Sequence, residues 1–388
     1  MSTFVKTKLE PNDIIKRSKN DYNWRVVMEL GAGGFGTVSK VVQVDGNGIQ
    51  INQKEYAIKT ELKAIKKQAS RLKIERDVLT SFQKIDVPSK KHFPEIMDIG
   101  QTACLKWIVM TLVGSSLEKI NRTSPFSPST ALQCALQTLK AIHDLHLVGY
   151  LHRDVKPANY CIGSDTCMDV VYMIDFGLAR RYRTKTNAIR QPRAKTKMVG
   201  TPRYCPRASH LLKELGRKDD YESWYFMILD FLDPQNGVPW KGRKREISFE
   251  MKNKVFDEPL WISSSSKVPS QFAVFSEYLN KLEYASNVEF GIFRETITDY
   301  ARTIQLTLKE KLDWMIPEEE RTAESVGGGA KNVPNSSIIS SKTEPDNRST
   351  CSETTEEKCS LDTSTPQRKP PMSKRKHVSA MARTAALK

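Results

Sequence analysis

The sequence predicts an α+β architecture of two unequal lobes, a small β-rich lobe with one main helix and a larger, mainly helical lobe. Three observations carry this reading. Between Trp24 and about Gly100 β-branched runs dominate and only one stretch has helical spacing; from Thr130 onward apolar residues recur at the helical period; beyond about Glu318 aromatic residues all but vanish.

Taken in order, residues 1–22 are polar and charged and read as a short lead-in. The globular part is expected over 23–318, with the small lobe at 23–112 and the large one at 115–318. Val26 to Leu30 and Thr37 to Val44 are strands flanking a glycine cluster, and Glu55 to Lys59 is the next strand. Gln68 to Phe82 places Leu72, Leu79 and Phe82 at helical spacing among charges. Leu105 to Leu112 reads as a strand that stops at Val113-Gly114. Helices follow at Thr130 to Leu147, Tyr221 to Leu232, Gln271 to Leu282 and Phe290 to Leu306. Residues 319–388 form a Ser/Thr-rich tail whose composition cannot offset its ordering entropy, so disorder is expected there. Its end carries the basic clusters Arg368-Lys369 and Lys374-Arg375-Lys376.

In a chain of 388 residues, 39% hydrophobic composition is enough for a sizeable core, while a formal net charge of +16 favours acidic partners without choosing among them. The seven cysteines are scattered, with no CxxC pair or His-linked spacing, which argues against a zinc knuckle or a disulfide framework and for reduced thiols. Charges near the N-terminus argue against a signal peptide, and no apolar run reaches the ~18 residues a membrane span needs. A cytoplasmic or nuclear location is the expectation, with no membrane partner. No nucleic-acid-binding motif accompanies the charge, so no nucleic-acid partner is expected either.

Four strings carry chemistry. In the first, Gly31, Gly33, Gly34, Phe35 and Gly36 precede Val38 and a returning strand. A glycine turn between two strands can fold its backbone N–H groups over a triphosphate, whereas a dinucleotide fold needs a helix at that point. Lys59, in Tyr56-Ala57-Ile58-Lys59, would supply a fixed cation to the phosphates. Glu75 is the best-placed carboxylate on the following helix to pair with it; Glu61 comes too early and Asp77 faces elsewhere.

The third string, Leu151-His152-Arg153-Asp154-Val155-Lys156-Pro157-Ala158-Asn159, suits phosphoryl transfer, where positioning and charge neutralisation dominate. Asp154 would orient a hydroxyl and accept its proton, Asn159 would hold a magnesium ion, and Lys156 would neutralise the moving phosphate. In Ile174-Asp175-Phe176-Gly177, Asp175 would bind the bridging Mg2+, with Phe176 beneath the helix of Glu75.

In this order the four strings resemble the signature set of the protein kinases, over roughly residues 24 to 315. The chain looks most like the casein kinase 1 superfamily, and within it the tau-tubulin kinase branch. The residues that carry this are Tyr150 to Asn159, Tyr172 to Arg180, Arg190 to Arg193, Gly200 to Tyr204, Arg217 to Asp220 with Glu222-Ser223, and Val238-Pro239-Trp240. The resemblance implies a bilobal kinase fold with ATP and Mg2+ in its cleft, acting on serine or threonine. It implies that Asp220 anchors the catalytic-loop backbone and that Thr201 touches Asp154 and Lys156. Met110 would precede a hinge at Thr111 to Gly114, and Cys161 would lie beneath adenine. Val38, Ala57 and Leu112 complete the implied nucleotide contacts.

One departure is Pro206-Arg207-Ala208, where most kinases have Ala-Pro-Glu; members of the casein kinase 1 superfamily also lack that glutamate. Between Asp175 and Glu214 no acidic residue occurs, yet arginine and lysine recur. Arg180, Arg181, Arg190, Arg193 and Lys197 are therefore candidates to bind an acidic or already phosphorylated protein substrate, cytoskeletal by family resemblance. A monomer is expected. The alternative reading is a catalytically weak or inactive kinase-fold scaffold that binds acidic partners; its usual mark, loss of the lysine or either aspartate, is absent.

Overall fold

A computed structural model describes residues 7–17, 21–33, 36–63, 70–84, 90–317 and 320. Gly34, Phe35 and the tail expected over 319–388, apart from Glu320, lie outside the described residues. The small lobe is a six-stranded antiparallel sheet of β1 (Ile14–Ile15), β2 (Asn23–Gly33), β3 (Gly36–Val44), β4 (Gln50–Leu62), β5 (Ile96–Gln101) and β6 (Leu105–Thr111). The strand order is β1-β2-β3-β4-β6-β5. Period-two alternation gives the sheet two different faces. Trp24, Val26, Val41, Ile58, Trp107 and Val109 build an outer cluster, whereas Ala57, Ile108 and Met110 face the main core. Lys59, two residues beyond Ala57, therefore emerges on the same side as that core.

The lead-in does more than its polarity suggests. Leu9 and Ile15 are buried in the outer cluster, and β1 pairs with β2. Arg17 ion-pairs with Asp98 at 2.5 Å, and Asp98 also accepts from the Trp24 indole at 2.7 Å. Two apolar residues in a charged stretch were too weak a periodic signal to read as an edge strand.

Helix α1 (Arg71–Gln83) is capped by Ser70, whose hydroxyl accepts from the Lys73 N–H at 3.2 Å. Its buried stripe is Leu72, Glu75, Val78, Leu79 and Phe82. Glu75 occupies an apolar position of that stripe, which aims a carboxylate into the cleft.

The large lobe contains α2 (Leu117–Thr123), α3 (Pro128–Leu147), β7 (Tyr150–Leu151), β8 (Tyr160–Ile162), β9 (Val171–Met173), β10 (Arg180–Arg181) and α4 (Arg207–His210). There follow α5 (Arg217–Leu232), α6 (Arg245–Asp257), α7 (Trp261–Ser265), α8 (Ala273–Asn280) and α9 (Phe290–Thr303). Strands β7 and β10 pair, as do β8 and β9, and these two short ribbons set the loops that face the small lobe. Helix α5 is buried on nearly every side and forms the lobe's axis. The stretch read as one helix over 271–282 is a 3₁₀ turn (Ser270–Phe272) followed by α8. Helix α6 escaped the sequence reading because its buried residues, Ser248, Lys252, Val255 and Phe256, include only two apolar side chains.

Candidate active site

Glycine matters at the mouth of the cleft. Gly36 has φ +146°, and a Cβ there would stand 1.8 Å from the Thr60 carbonyl oxygen. Any side chain would push β3 away from β4 at this point. Behind it, the Lys59 ammonium lies 2.6 Å from Glu75 Oε2 and 3.1 Å from Asp175 Oδ1. Burial alone would depress the lysine, yet the two carboxylates hold it well above its ordinary range. Burial raises Glu75, opposed by Lys59; for Asp175, burial is outweighed by Lys59 and the carboxyl sits low. Asp175 thus keeps its charge and half its side chain exposed to the cleft. The rejected carboxylates go elsewhere: Glu61 accepts from Ser70 and Arg71, and Asp77 from Arg76.

Asp175 has φ 60° and Arg153 φ 68°, a region L-residues seldom adopt. Surrounding bonds hold both turns. Phe176 is fully buried against α1, tilted toward Phe93 and His152. The backbone N–H groups of His152 and Arg153 each donate to Asp220 at 2.8 Å, and His146 Nε2 lies 2.8 Å from the same carboxylate. Asp220 on α5 therefore fixes the backbone at the start of the 152–159 loop.

The loop converges on Asp154. Thr201 donates to its Oδ1 through both N–H and hydroxyl at 2.8 Å, and Lys156 Nζ lies 2.8 Å from Oδ2. Lys156 also donates to the Thr201 hydroxyl at 2.9 Å. Asn159 donates its Nδ2 to the Asp154 carbonyl at 2.7 Å, which leaves its Oδ1 as the atom to meet a cation. Gly200 permits this convergence: at φ +94° a Cβ would approach the Arg153 carbonyl to 2.9 Å. Around the expected adenine site, Met110 and Cys161 are buried, Ala57 lies opposite Met110 in the β4–β6 register, and Val38 and Leu112 pack against the core from its edge. Burial pushes the Cys161 thiol up to about 12, so it serves as a small apolar group.

The basic segment behaves differently from the reading of its charge. Arg180 Nε lies 3.4 Å from Glu214, and Arg193 binds the same carboxylate through Nε and, at 3.0 Å, Nη2. Two of the five positions expected to meet substrate are thus paired with a carboxylate of the chain itself, and Arg190 Nε donates to the Arg183 carbonyl at 3.2 Å; Arg181, Arg190, Arg193 and Lys197 are all exposed. Although burial opposes its charge, Glu214 is held low by Arg193, Arg180 and Arg153. Glu214 was missed because it stands alone in sequence, beyond the stretch that carries the arginines. It supplies in place the negative charge that such an arginine cluster otherwise takes from a phosphate. Glu214→Ala is expected to lower peptide turnover about tenfold, ~1.4 kcal/mol, with nucleotide affinity unchanged. Phosphatase treatment of the parent should leave its rate intact, and steady-state assays check both.

Where most kinases have Ala-Pro-Glu, Arg207 is itself engaged with a carboxylate of the chain. Arg207 donates from its backbone N–H at 2.7 Å and its Nε at 3.1 Å to Glu222, which is buried on α5. Its guanidinium also lies 3.5 Å from the Phe256 ring centroid.

A lysine clamped between two carboxylates, facing a loop aspartate and an amide oxygen, defines a phosphotransferase cleft of the kinase type. The protein kinase domain model matches residues 24–285, and the chain belongs to the protein kinase family. It is 50% identical over 309 residues, 79% of this chain and 77% of the relative, to "Putative serine/threonine-protein kinase ZK507.3" of Caenorhabditis elegans. It is 32% identical over 308 residues to the serine/threonine-protein kinase spe-6 of the same organism, covering 78% of each chain. Casein kinase I homolog 2 of Schizosaccharomyces pombe is 29% identical over 311 residues, 78% of this chain and 68% of that one. The protein is a serine/threonine-protein kinase by family, and its substrates are proteins.

Proposed function

We propose that this kinase transfers the γ-phosphate of ATP to serine or threonine in acidic or already phosphorylated protein segments, as a monomer of the tau-tubulin kinase branch. Protein kinases as a family use ATP with Mg2+, and the donor set here suits them. Asp175 and Asn159 offer a carboxylate and an amide oxygen, hard ligands appropriate to magnesium, and Lys59 offers the phosphate-binding cation. When bound, the metal neutralises phosphate charge. Asp154 orients the incoming hydroxyl and takes its proton, and Lys156 offsets charge on the transferring group. Gly31, Gly33 and Gly36 stand at the turn above the phosphates.

The observation that favours acidic substrates is the exposure of Arg181, Arg190 and Lys197 in a segment free of carboxylates from 176 to 213. The family resemblance adds cytoskeletal proteins as the substrate class, and the scattered cysteines, read as reduced thiols, suit the cytoplasm, the nucleus or both as the location. A serine peptide flanked by glutamate or phosphoserine should exceed its lysine-flanked analogue about tenfold in kcat/KM, the difference shrinking as salt rises. Equal efficiency for the two peptides at low salt would refute the preference.

A further inference from the structure

Lys252 is a charged residue on the wrong side of its helix. Along α6 the buried positions are Ser248, Lys252, Val255 and Phe256, spaced as one inward stripe. The Lys252 side chain is wholly enclosed, 0% exposed, whereas Arg245, Glu246 and Glu250 on the same helix face outward. Enclosing an ammonium is costly unless every donor finds an acceptor. The acceptors are main-chain: the carbonyl oxygens of Pro202 at 2.8 Å and Cys205 at 2.7 Å. His210 Nε2 lies 3.2 Å away, and the rings of Phe226 and Trp240 lie 5.1 and 5.7 Å from the nitrogen. Burial, with Lys252 and Arg245 nearby, pulls the His210 imidazole down to about 4, so the ring is neutral near pH 7; its Nε2 also lies 3.4 Å from Cys205 Sγ.

Those carbonyls belong to the turn that begins with Thr201. The intervening carbonyl, of Arg203, accepts from the Trp240 indole at 2.7 Å. The Thr201 carbonyl closes the turn by accepting from Tyr204 and Cys205 at 2.9 and 2.8 Å. From the far side, Thr201 reaches Asp154 and Lys156. The turn is therefore fastened through its carbonyls from behind, while its front holds the catalytic aspartate in register.

We propose that Lys252, with Trp240 beside it, is a positioning residue for phosphoryl transfer: it fixes the 201–205 turn and so sets both the register of Asp154 and the shelf on which the protein substrate rests. This rests on the kinase reading of the cleft, and nothing in the nucleotide site depends on it. Lys252→Met keeps length and bulk and removes the donors. Its kcat/KM for a serine peptide that the unaltered enzyme phosphorylates should fall about ten- to a hundredfold, the scale of a small misplacement at a reacting centre, with a raised peptide KM. Affinity for the ATP analogue AMP-PNP with Mg2+ should stay within about twofold. Trp240→Phe removes one donor to the same turn and should move the same parameters in the same direction by less. Two results overturn the proposal. In one, a folded Lys252→Met enzyme phosphorylates the peptide as efficiently as the parent. In the other, AMP-PNP affinity falls in step with peptide efficiency, as a general structural lesion would require. If Lys252→Met does not fold, Trp240→Phe decides by the same two criteria. Turnover by the unaltered enzyme stands apart as the check on the kinase reading itself.

Discussion

Asp154→Asn is expected to lower kcat about 10²- to 10⁴-fold, the contribution of a positioned general base, while leaving the affinity for Mg-ATP intact. The reason lies in the donors around the carboxylate. Oδ1 accepts from the Thr201 N–H and hydroxyl, and Oδ2 faces Lys156 at 2.8 Å with Asn159 Nδ2 at 3.4 Å. An amide presents its own N–H₂ to one of these donor sets whichever way it turns. It loses the proton acceptor and, depending on which way it turns, meets either Thr201 or Lys156 donor to donor. Initial rates at saturating ATP and peptide, beside nucleotide titration, separate this from a binding defect.

Lys59→Met should cost about 10²- to 10³-fold in kcat/KM for ATP, the scale of deleting one preorganised charge from a transition-state site. A second consequence follows from Glu75, which is buried and loses its partner at 2.6 Å. Burial already raises this carboxyl, and without Lys59 the main opposition to that rise is gone, leaving only the more distant His152 against it. Its folded pKa then stands further above the unfolded value, so the folded state holds a proton the unfolded chain releases. Stability of the variant should fall as pH rises through that window, relative to the parent, because the unfolded state binds fewer protons there. Thermal melts from acid to neutral pH read the slope, and a difference between variant and parent that does not widen with pH would contradict it.

The grouping of the candidate site's residues was legible because it is written in local strings. Each string fixes its own backbone, and the two lobes bring together four segments whose residue types admit little other chemistry. Glu75 could be found because a carboxylate on an apolar helical stripe has to face something. Lys252 drew no notice in the sequence because the buried stripe of α6 is too polar to stand out. Glu214 could not be found by local reading, since its partners Arg180 and Arg193 come together only when the segment folds back. Part of the run of charge assigned to substrate, Arg180 and Arg193, is paired within the chain to Glu214. The edge strand at Ile14–Ile15 was missed for the opposite reason, its two apolar residues being too few to show a period.

The most direct test is transfer of labelled γ-phosphate from ATP with Mg2+ to a degenerate Ser/Thr peptide library, with the phosphorylated residue identified, for the parent and Asp154→Asn. The geometry predicts phosphoserine and phosphothreonine from the parent, and almost none from the variant. A folded parent that binds Mg-ATP yet labels no peptide would contradict catalysis and leave the fold as a scaffold.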